Sequence, residues 1–244
     1  MPAGNTVGFL YPGHSAEDDF PRMEKMLNAT ADDIRLPLVH TDIGTDAHRV
    51  DALLEMGSVR RLTDRVAELT GRGAQAVVWA CTSASFVFGW DGAREQVREL
   101  SRSAGLPASS TSFAFAHAAQ DLGLRRVAIG ATYPEDVAVL FADFLKAAGI
   151  EVTATRGSGI ITAAEVGTWE PDQVLELART ADDPSAEAVL LPDTALHTAG
   201  CLTEVERQLG KPVLTANQVT AWEGLRLLDR RVHCPELGTL FDRQ

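Results

Sequence analysis

Two short polar segments that follow apolar runs contain the side chains best suited to chemistry. Cys81 comes directly after the apolar run Ala76–Ala80 and is followed by Thr82 and Ser83. A thiol beside free backbone N–H groups has a lowered pKa and is a better nucleophile or base. The alternative is a small buried cysteine that only packs, which is common. We interpret Cys81 as catalytic because a later segment mirrors its surroundings.

The second segment aligns with the first without a gap. AQAVVWACTSAS (74–85) matches AEAVLLPDTALH (186–197), which places Asp193 opposite Cys81 and Thr194 opposite the threonine after Cys81. A carboxylate at this position could act as general acid or base across a cleft from the thiol. The alternative is an aspartate that stabilises a turn after a proline, which is frequent.

Further matches in the same order indicate an internal duplication. VGFLYP ends in Tyr11-Pro12 and VAIGATYP ends in Tyr133-Pro134, while AGLPASSTS aligns with LGKPVLTAN and sets Ser112 opposite Asn217. Hydroxyl and amide groups at such positions can hold a carboxylate and the oxyanion of an enolate. Each alone is more often a cap or turn residue. The predicted substrate-binding residues are Thr82, Ser83, Tyr133, Thr194, Tyr11 and Asn217, with Ser112 a weaker member.

These polar segments must be positioned by strands that alternate with helices. Candidate strands are 6–11, 34–40, 76–81, 108–112, 126–131, 152–156, 186–191 and 212–215. Candidate helices are about 17–29, 50–72, 92–104, 113–122, 134–148, 171–181, 201–209 and 218–229. Strands separated by helices indicate parallel sheets, in which ligands bind beyond the carboxyl ends of the strands.

The predicted fold is therefore α/β, with two pseudo-symmetric halves and the site in the cleft between them. Each half is expected to be a parallel four-stranded sheet flanked by helices, the first over residues 1–115 and the second over residues 116–244. The last helix, 218–229, is expected to cross back and pack on the first half.

Composition narrows the class of protein. The 244 residues are 45% hydrophobic and 23% charged, which is ordinary for a globular enzyme, and the net charge of −12 argues against nucleic acid or an anionic membrane as partner. No run approaches the ~18 apolar residues of a membrane span, and the N-terminus does not have the pattern of a signal peptide. We therefore expect a soluble, cytoplasmic protein.

No sequence pattern points to a cofactor or a metal. The three cysteines have no metal-ligand spacing, and neither a Gly-x-Gly-x-x-Gly fingerprint nor a phosphate-binding loop is present. His197 could support Asp193, His14 could reach the cleft, and Cys201 is expected to pack at a helix start. The other histidines are predicted to be exposed: His40, His48, His117 and His233.

Several of these segments resemble the aspartate/glutamate racemase superfamily. They are VVWACTSASFVFG, the Tyr133-Pro134 turn, LLPDTALHTAG and KPVLTANQVTAW, with the opening VGFLYPGHSAEDDFPRME. The closest branch holds maleate cis-trans isomerases, arylmalonate decarboxylases and related ectoine-utilisation proteins. The resemblance implies two pseudo-symmetric halves, no metal or organic cofactor, a small carboxylate as substrate, and a homodimer.

The resemblance also implies roles for individual residues. Cys81 matches the first-half cysteine, Thr82 and Ser83 match the turn that holds a carboxylate, and Tyr133 matches a tyrosine that contacts the substrate. Two departures stand out: Asp193 replaces the second-half cysteine, and the family's second-half asparagine has no match in 159–165.

Three hypotheses follow. The leading one is a cofactor-independent isomerase or racemase of a small mono- or dicarboxylate, in which Cys81 adds to a double bond or removes an α-proton and Asp193 handles the proton on the opposite face. The second is a decarboxylase of a malonate-type acid, in which Cys81 delivers the proton. The third is a protein that binds a carboxylate without turnover.

Overall fold

The first sheet forms from apolar segments of the N-terminal part of the chain. The computed structural model describes residues 5–13, 15–31 and 33–242. The strands of this sheet are β1 (Asn5–Pro12), β2 (Ile34–Arg35), β3 (Leu38–Thr41), β4 (Ala76–Trp79) and β5 (Ala108–Ser110). They are parallel, in the order β2-β1-β4-β5, and β3 also pairs with β1.

The second sheet repeats this arrangement. Its strands are β6 (Arg126–Ala131), β7 (Glu151–Gly157), β8 (Ala188–Leu191) and β9 (Val213–Thr215), again parallel and in the order β7-β6-β8-β9. Strands β4 and β8 are buried along their whole length, as expected for sheets covered on both faces. The predicted α/β fold with two similar halves is confirmed.

The edge of the first sheet differs from the prediction of one strand over residues 34–40. Two short strands occupy this edge: β2 pairs with Asn5 and Thr6, whereas β3 pairs with the later part of β1. Pro37 lies between them, and its carbonyl oxygen accepts from the backbone N–H of Phe9 at 2.9 Å. Proline has no N–H to donate to a ladder, so the edge strand is interrupted there and the sheet has five strands instead of four.

The region predicted as one helix over residues 50–72 forms three: α2 (Val50–Met56), α3 (Val59–Thr63) and α4 (Val66–Gly71). The first break is at Gly57, where an added Cβ would lie 2.1 Å from the carbonyl oxygen of Ala84. This close approach lets the loop after β4 pack against the helix end.

The other helices cover the sheets much as predicted. They are α1 (Asp19–Leu27), α5 (Ser83–Phe86), α6 (Gly89–Ala104), α7 (Thr111–Asp121), α8 (Glu135–Ala147), α9 (Ala163–Val166), α10 (Pro171–Ala181), α11 (Leu202–Leu209) and α12 (Ala216–Leu227), with a 3-10 turn at Pro235–Leu237. None of the helices within the described ranges combines the length and the hydropathy that crossing a lipid bilayer requires.

Helices α7 and α12 pack against each other between the two sheets. The hydroxyls of Thr111 and Thr220 are hydrogen-bonded at 2.6 Å. Helix α12 also packs on β1, β4 and β5, and an added Cβ at Gly224 would lie 2.2 Å from Val7. The last helix thus lies on the first sheet. The boundary between residues 115 and 116 falls inside α7 and stays a prediction.

Candidate active site

A narrow cavity lies where the carboxyl ends of strands from both sheets approach each other. Its volume is about 20 Å³, which is room for about one water molecule. The lining includes five of the residues predicted from the sequence, together with one that was not: Tyr11, Cys81, Ser83, Asp193, Thr194 and His48. The structure therefore brings the two aligned segments to one site.

Cys81 is buried at this cavity, with 4% of its surface exposed. Its Sγ lies 3.8 Å from the hydroxyl oxygen of Ser83. Burial raises the pKa of the thiol to about 12, although the Ala84 N–H, the Ser83 hydroxyl and the Ser83 N–H act in the opposite direction. The predicted lowering of this pKa is wrong because desolvation of the thiolate outweighs the nearby donors. Cys81 is a neutral thiol at neutral pH.

The loop that carries Cys81 is held by side chains behind it. The Ser112 hydroxyl donates to the carbonyl oxygen of Thr82 at 2.8 Å, and the Gln96 amide donates to the carbonyl oxygen of Ala84 at 2.9 Å. The Thr82 hydroxyl is buried and has no hydrogen-bond partner in good geometry among the described residues. An unpaired buried hydroxyl costs about 1–3 kcal/mol, so it gains from donating to a ligand oxygen.

Asp193 is held in the equivalent loop after β8, with 4% of its surface exposed. Its Oδ1 accepts from the Ala195 N–H at 2.9 Å, and its Oδ2 accepts from the Thr132 hydroxyl. The bond to Ala195 is the turn-stabilising bond that an aspartate makes two residues ahead. The carboxylate also faces the cavity. Both interpretations of Asp193, as turn residue and as reactive group, therefore fit its position.

His48 was predicted to be exposed, and this is wrong: only 5% of its surface is exposed. Its Nδ1 lies 2.9 Å from the carbonyl oxygen of Ile160, and its backbone N–H donates to Ile161 at 2.6 Å. Its Nε2 lies 3.9 Å from Oδ2 of Asp193. The ring meets Tyr133 edge-on, with centroids 4.8 Å apart. Because these contacts join segments distant in sequence, no local pattern around His48 could indicate them.

The two predicted tyrosines use their hydroxyls inside the protein. Tyr133 donates to the carbonyl oxygen of Pro192 at 2.7 Å, and burial raises the pKa of its phenol well above the usual value. Tyr11 donates to the carbonyl oxygen of Thr194 at 2.8 Å and accepts from the Ala16 N–H at 3.1 Å. Tyr133 lies beside the cavity, and hydrogen bonding from the side chains of Thr82 and Ser83 acts to lower the pKa of its phenol, against the larger effect of burial.

Asn217 lies behind the cavity. Its side-chain amide donates to the carbonyl oxygens of Thr194 and Leu196 and to the buried carboxylate of Asp19. Asp19, at the start of α1, also accepts from the N–H groups of Thr198 and Ala199. Asn217 thus supports the loop after Asp193 from outside the cavity lining.

The remaining predicted positions are away from the cavity. His197 pairs with Asp18 at 2.9 Å, with 35% of its side chain exposed. Cys201 precedes α11, and burial raises the pKa of its half-buried thiol to about 11. His14 lies outside the described residues. Within the described residues, no group of three or more His, Cys, Asp or Glu side chains could hold a metal ion.

Known proteins resemble this chain in sequence and in fold. Arylmalonate decarboxylase of Bordetella bronchiseptica is 28% identical over 213 residues, which is 85% of this chain and 87% of that protein. A liganded double mutant of arylmalonate decarboxylase is 26% identical and superimposes with a TM-score of 0.84 over 98% of this chain and 99% of that one.

A maleate isomerase is similar as well. The Nocardia farcinica enzyme is 28% identical over 183 residues, 72% of each sequence. The structure of a cysteine-to-serine mutant of Nocardia farcinica maleate isomerase, with a covalently bound succinylcysteine intermediate, is 21% identical to this chain. It has a TM-score of 0.83 over 98% of both chains.

The family model described as arylmalonate decarboxylase matches residues 54–241, a stretch that contains the loops of both Cys81 and Asp193. The predicted resemblance to the branch of maleate isomerases and arylmalonate decarboxylases is confirmed. Because the family model matches well over half of the length of this chain, the chain belongs to the arylmalonate decarboxylase family.

Proposed function

We propose that this protein is a cofactor-independent isomerase or racemase of a small carboxylate, with Cys81 as the reacting group. The observation that carries the proposal is the placement of a buried thiol and a buried carboxylate, Cys81 and Asp193, at one narrow cavity. The relatives include a maleate isomerase and an arylmalonate decarboxylase, whose names point to small carboxylates as their substrates.

The substrate carboxylate is expected to bind beside Cys81. The hydroxyls of Thr82 and Ser83 and the backbone N–H groups near the thiol are suited to its oxygens. The same donors would stabilise an enolate, because its negative charge develops on these oxygens as the reaction proceeds. Thr194 is the candidate donor on the side of Asp193, and Tyr133 would donate to the substrate only if its hydroxyl turned away from Pro192.

Isomerisation needs a covalent step at the thiol. The sulfur adds to one carbon of the double bond, and the electron pair of that bond moves into the carboxylate as an enolate. The new single bond rotates, the electron pair returns, and the C–S bond breaks. The Nocardia farcinica structure holds a covalently bound succinylcysteine intermediate, the kind of adduct that this step would form.

Decarboxylation is the second candidate, and the neutral state of Cys81 favours it. Loss of CO₂ from a malonate-type acid leaves an enediolate that needs one proton. A thiol with a pKa of about 12 holds a proton at neutral pH and could deliver it without a second cysteine. The match to the arylmalonate decarboxylase family supports the same alternative.

One experiment separates these functions. The protein and its Cys81→Ala variant are incubated in D₂O with maleate, aspartate, glutamate, hydantoins and substituted malonates, and each acid is followed by proton NMR. Conversion of the double-bond geometry or deuterium uptake without CO₂ identifies an isomerase or racemase, and CO₂ release identifies a decarboxylase. Turnover that survives Cys81→Ala refutes the role of the thiol.

No turnover of any acid, with thermal stabilisation by one of them, would overturn the proposal in favour of a carboxylate-binding protein. The proposal also includes a cytoplasmic location and assembly as a homodimer. Light scattering of the purified protein tests the assembly, and a monomer at micromolar concentration would refute it.

A further inference from the structure

A buried thiol that keeps its proton cannot add to a double bond. With a pKa of about 12, only about one Cys81 in 10⁵ is a thiolate at pH 7. The proposed isomerisation therefore requires a base within reach of the cavity. The described side chains that line the cavity and could accept this proton are Asp46, His48 and Asp193.

The two carboxylates are already engaged as hydrogen-bond acceptors. Asp46 accepts from the N–H groups of Ala163 and Ala164 through its two oxygens. Asp193 accepts from Ala195 and Thr132 through its two oxygens. Both oxygens of each carboxylate are therefore already held by donors of the protein.

The imidazole of His48 is oriented differently. A carbonyl oxygen can only accept, so the contact with Ile160 places the ring proton of neutral His48 on Nδ1. The lone pair is then on Nε2, the nitrogen that faces Asp193 at 3.9 Å. An ionised carboxylate at this distance stabilises the imidazolium that forms when Nε2 gains a proton.

We infer that His48 is the base that accepts the proton of Cys81, with Asp193 stabilising the charged ring. The inference rests on the proposed isomerase function. The S–H bond breaks as a bond from Nε2 to the proton and a bond from sulfur to substrate carbon form. When the adduct collapses, the C–S bond breaks and the proton returns from Nε2 to sulfur, so that no proton is gained or lost overall.

The titratable groups that share the cavity with His48 or contact its ring come from four segments. Asp46 lies in the same loop as His48, Cys81 follows β4, Tyr133 follows β6 and Asp193 follows β8. Tyr133 stays neutral because burial raises its pKa well above the usual value. Tyr133 therefore does not compete for the proton of Cys81.

Alkylation of Cys81 tests this inference without requiring turnover. The wild type, His48→Gln, His48→Asn and His48→Ala are treated with iodoacetamide between pH 5 and 9, and each cysteine-containing peptide is quantified by mass spectrometry. The half-buried Cys201 is the internal control, and His233→Gln, at an exposed histidine, is the matched variant.

Loss of the base should slow alkylation of Cys81 by about 10²-fold at pH 7. The remaining rate should rise about tenfold per pH unit between pH 5 and 9, because only the thiolate fraction of Cys81 then reacts. Labelling of Cys201 should not change, and added imidazole should restore the rate at Cys81 in His48→Ala only. Equal rates at Cys81 in the wild type and His48→Gln would overturn the inference, as would equal slowing at both cysteines.

The outcome is separate from that of the proposed function. If the acid panel is converted in a Cys81-dependent way but His48→Gln alkylates like the wild type, the isomerase stands and another base must be sought. If no acid is converted but alkylation depends on His48, the activation of the thiol stands and the isomerase fails. Thermal melting of each variant shows whether it is folded, and His48→Asn provides a second variant if His48→Gln is not.

Discussion

The loops after β4 and β8 occupy equivalent places in the two halves, yet their polar side chains differ in how far they are hydrogen-bonded within the protein. In the first, Cys81 is a neutral thiol and the next hydroxyl, that of Thr82, has no partner in good geometry among the described residues. In the second, both oxygens of Asp193 are hydrogen-bonded. The loop after β4 thus has a hydroxyl that can donate to a ligand, whereas the carboxylate of the loop after β8 is hydrogen-bonded within the protein.

The supports behind the loops show the same contrast. Ser112 and Asn217 are the second residues of the equivalent helices α7 and α12, and each donates to the carbonyl oxygen of the equivalent threonine, Thr82 or Thr194. Among the described residues the Ser112 hydroxyl makes this one side-chain hydrogen bond, whereas the Asn217 amide adds bonds to Leu196 and Asp19. A duplicated framework can therefore keep its geometry while the chemistry of its two loops diverges.

The strongest test of this comparison is removal of the reactive group of the first loop. Cys81→Ala should lower kcat by about 10²–10⁴-fold, because no other thiol lies at the cavity among the described residues. Proton NMR of the acid panel measures the rate, and circular dichroism shows that the fold is retained. Activity within a few-fold of the wild type would contradict the assignment.

Neutralising the second loop should have a smaller effect. Asp193→Asn keeps the shape and the bond to Ala195 but removes the charge opposite His48, and we expect kcat to fall by about 10²-fold. Measuring kcat and KM separately distinguishes a chemical role from a binding role. A change in KM alone would make Asp193 a binding residue.

The supports offer a matched pair of stability measurements. Asn217→Ala removes three hydrogen bonds and leaves the buried Asp19 carboxylate with fewer donors, so it should lower the free energy of unfolding by about 1–3 kcal/mol. Ser112→Ala removes one bond and should cost about 1 kcal/mol. Urea denaturation measures both free energies of unfolding. Equal losses in the two variants would mean that the two loops are supported equally strongly.

A further difference in stability is expected in alkali. The pKa of Cys81 is raised from 9.0 to about 12 in the folded state, so its stabilising contribution is complete below pH 9 and is lost as the pH rises towards 12. Over this window the wild type should lose up to about 1.4 kcal/mol per pH unit more than Cys81→Ala. Unfolding curves between pH 8 and 11 measure the difference, and parallel curves would refute the raised pKa.

Much of the fold could be predicted because it depends on local patterns. Each strand predicted from an apolar run is present in the structure, although the run over residues 34–40 forms two strands. The internal repeat by itself placed Cys81 and Asp193 in equivalent loops. The broken helix after Val50 was missed because its break depends on how closely Ala84 approaches Gly57. That contact joins distant parts of the chain.

The site was predicted less completely, for the same reason. The position of Cys81 follows from the sequence, but its protonation depends on burial, which the sequence does not reveal. His48 reaches the cavity through a loop of irregular structure and contacts Ile160 and Asp193, which come more than a hundred residues later. Such a residue is recognised only once both halves are folded.

The contacts between residues 46–48 and 160–164 have a consequence for ligand affinity. Asp46 and His48 join the two halves through backbone and side-chain hydrogen bonds above a cavity that has room for about one water. A carboxylate substrate is larger, so the state that admits it must separate these segments. Each bond broken costs about 0.5–1.5 kcal/mol, and the observed Kd is raised by the small population of the open state. Weakening the contacts made by Asp46, which leaves His48 in place, should therefore tighten apparent binding and, by letting water reach the thiol, make the reaction less selective.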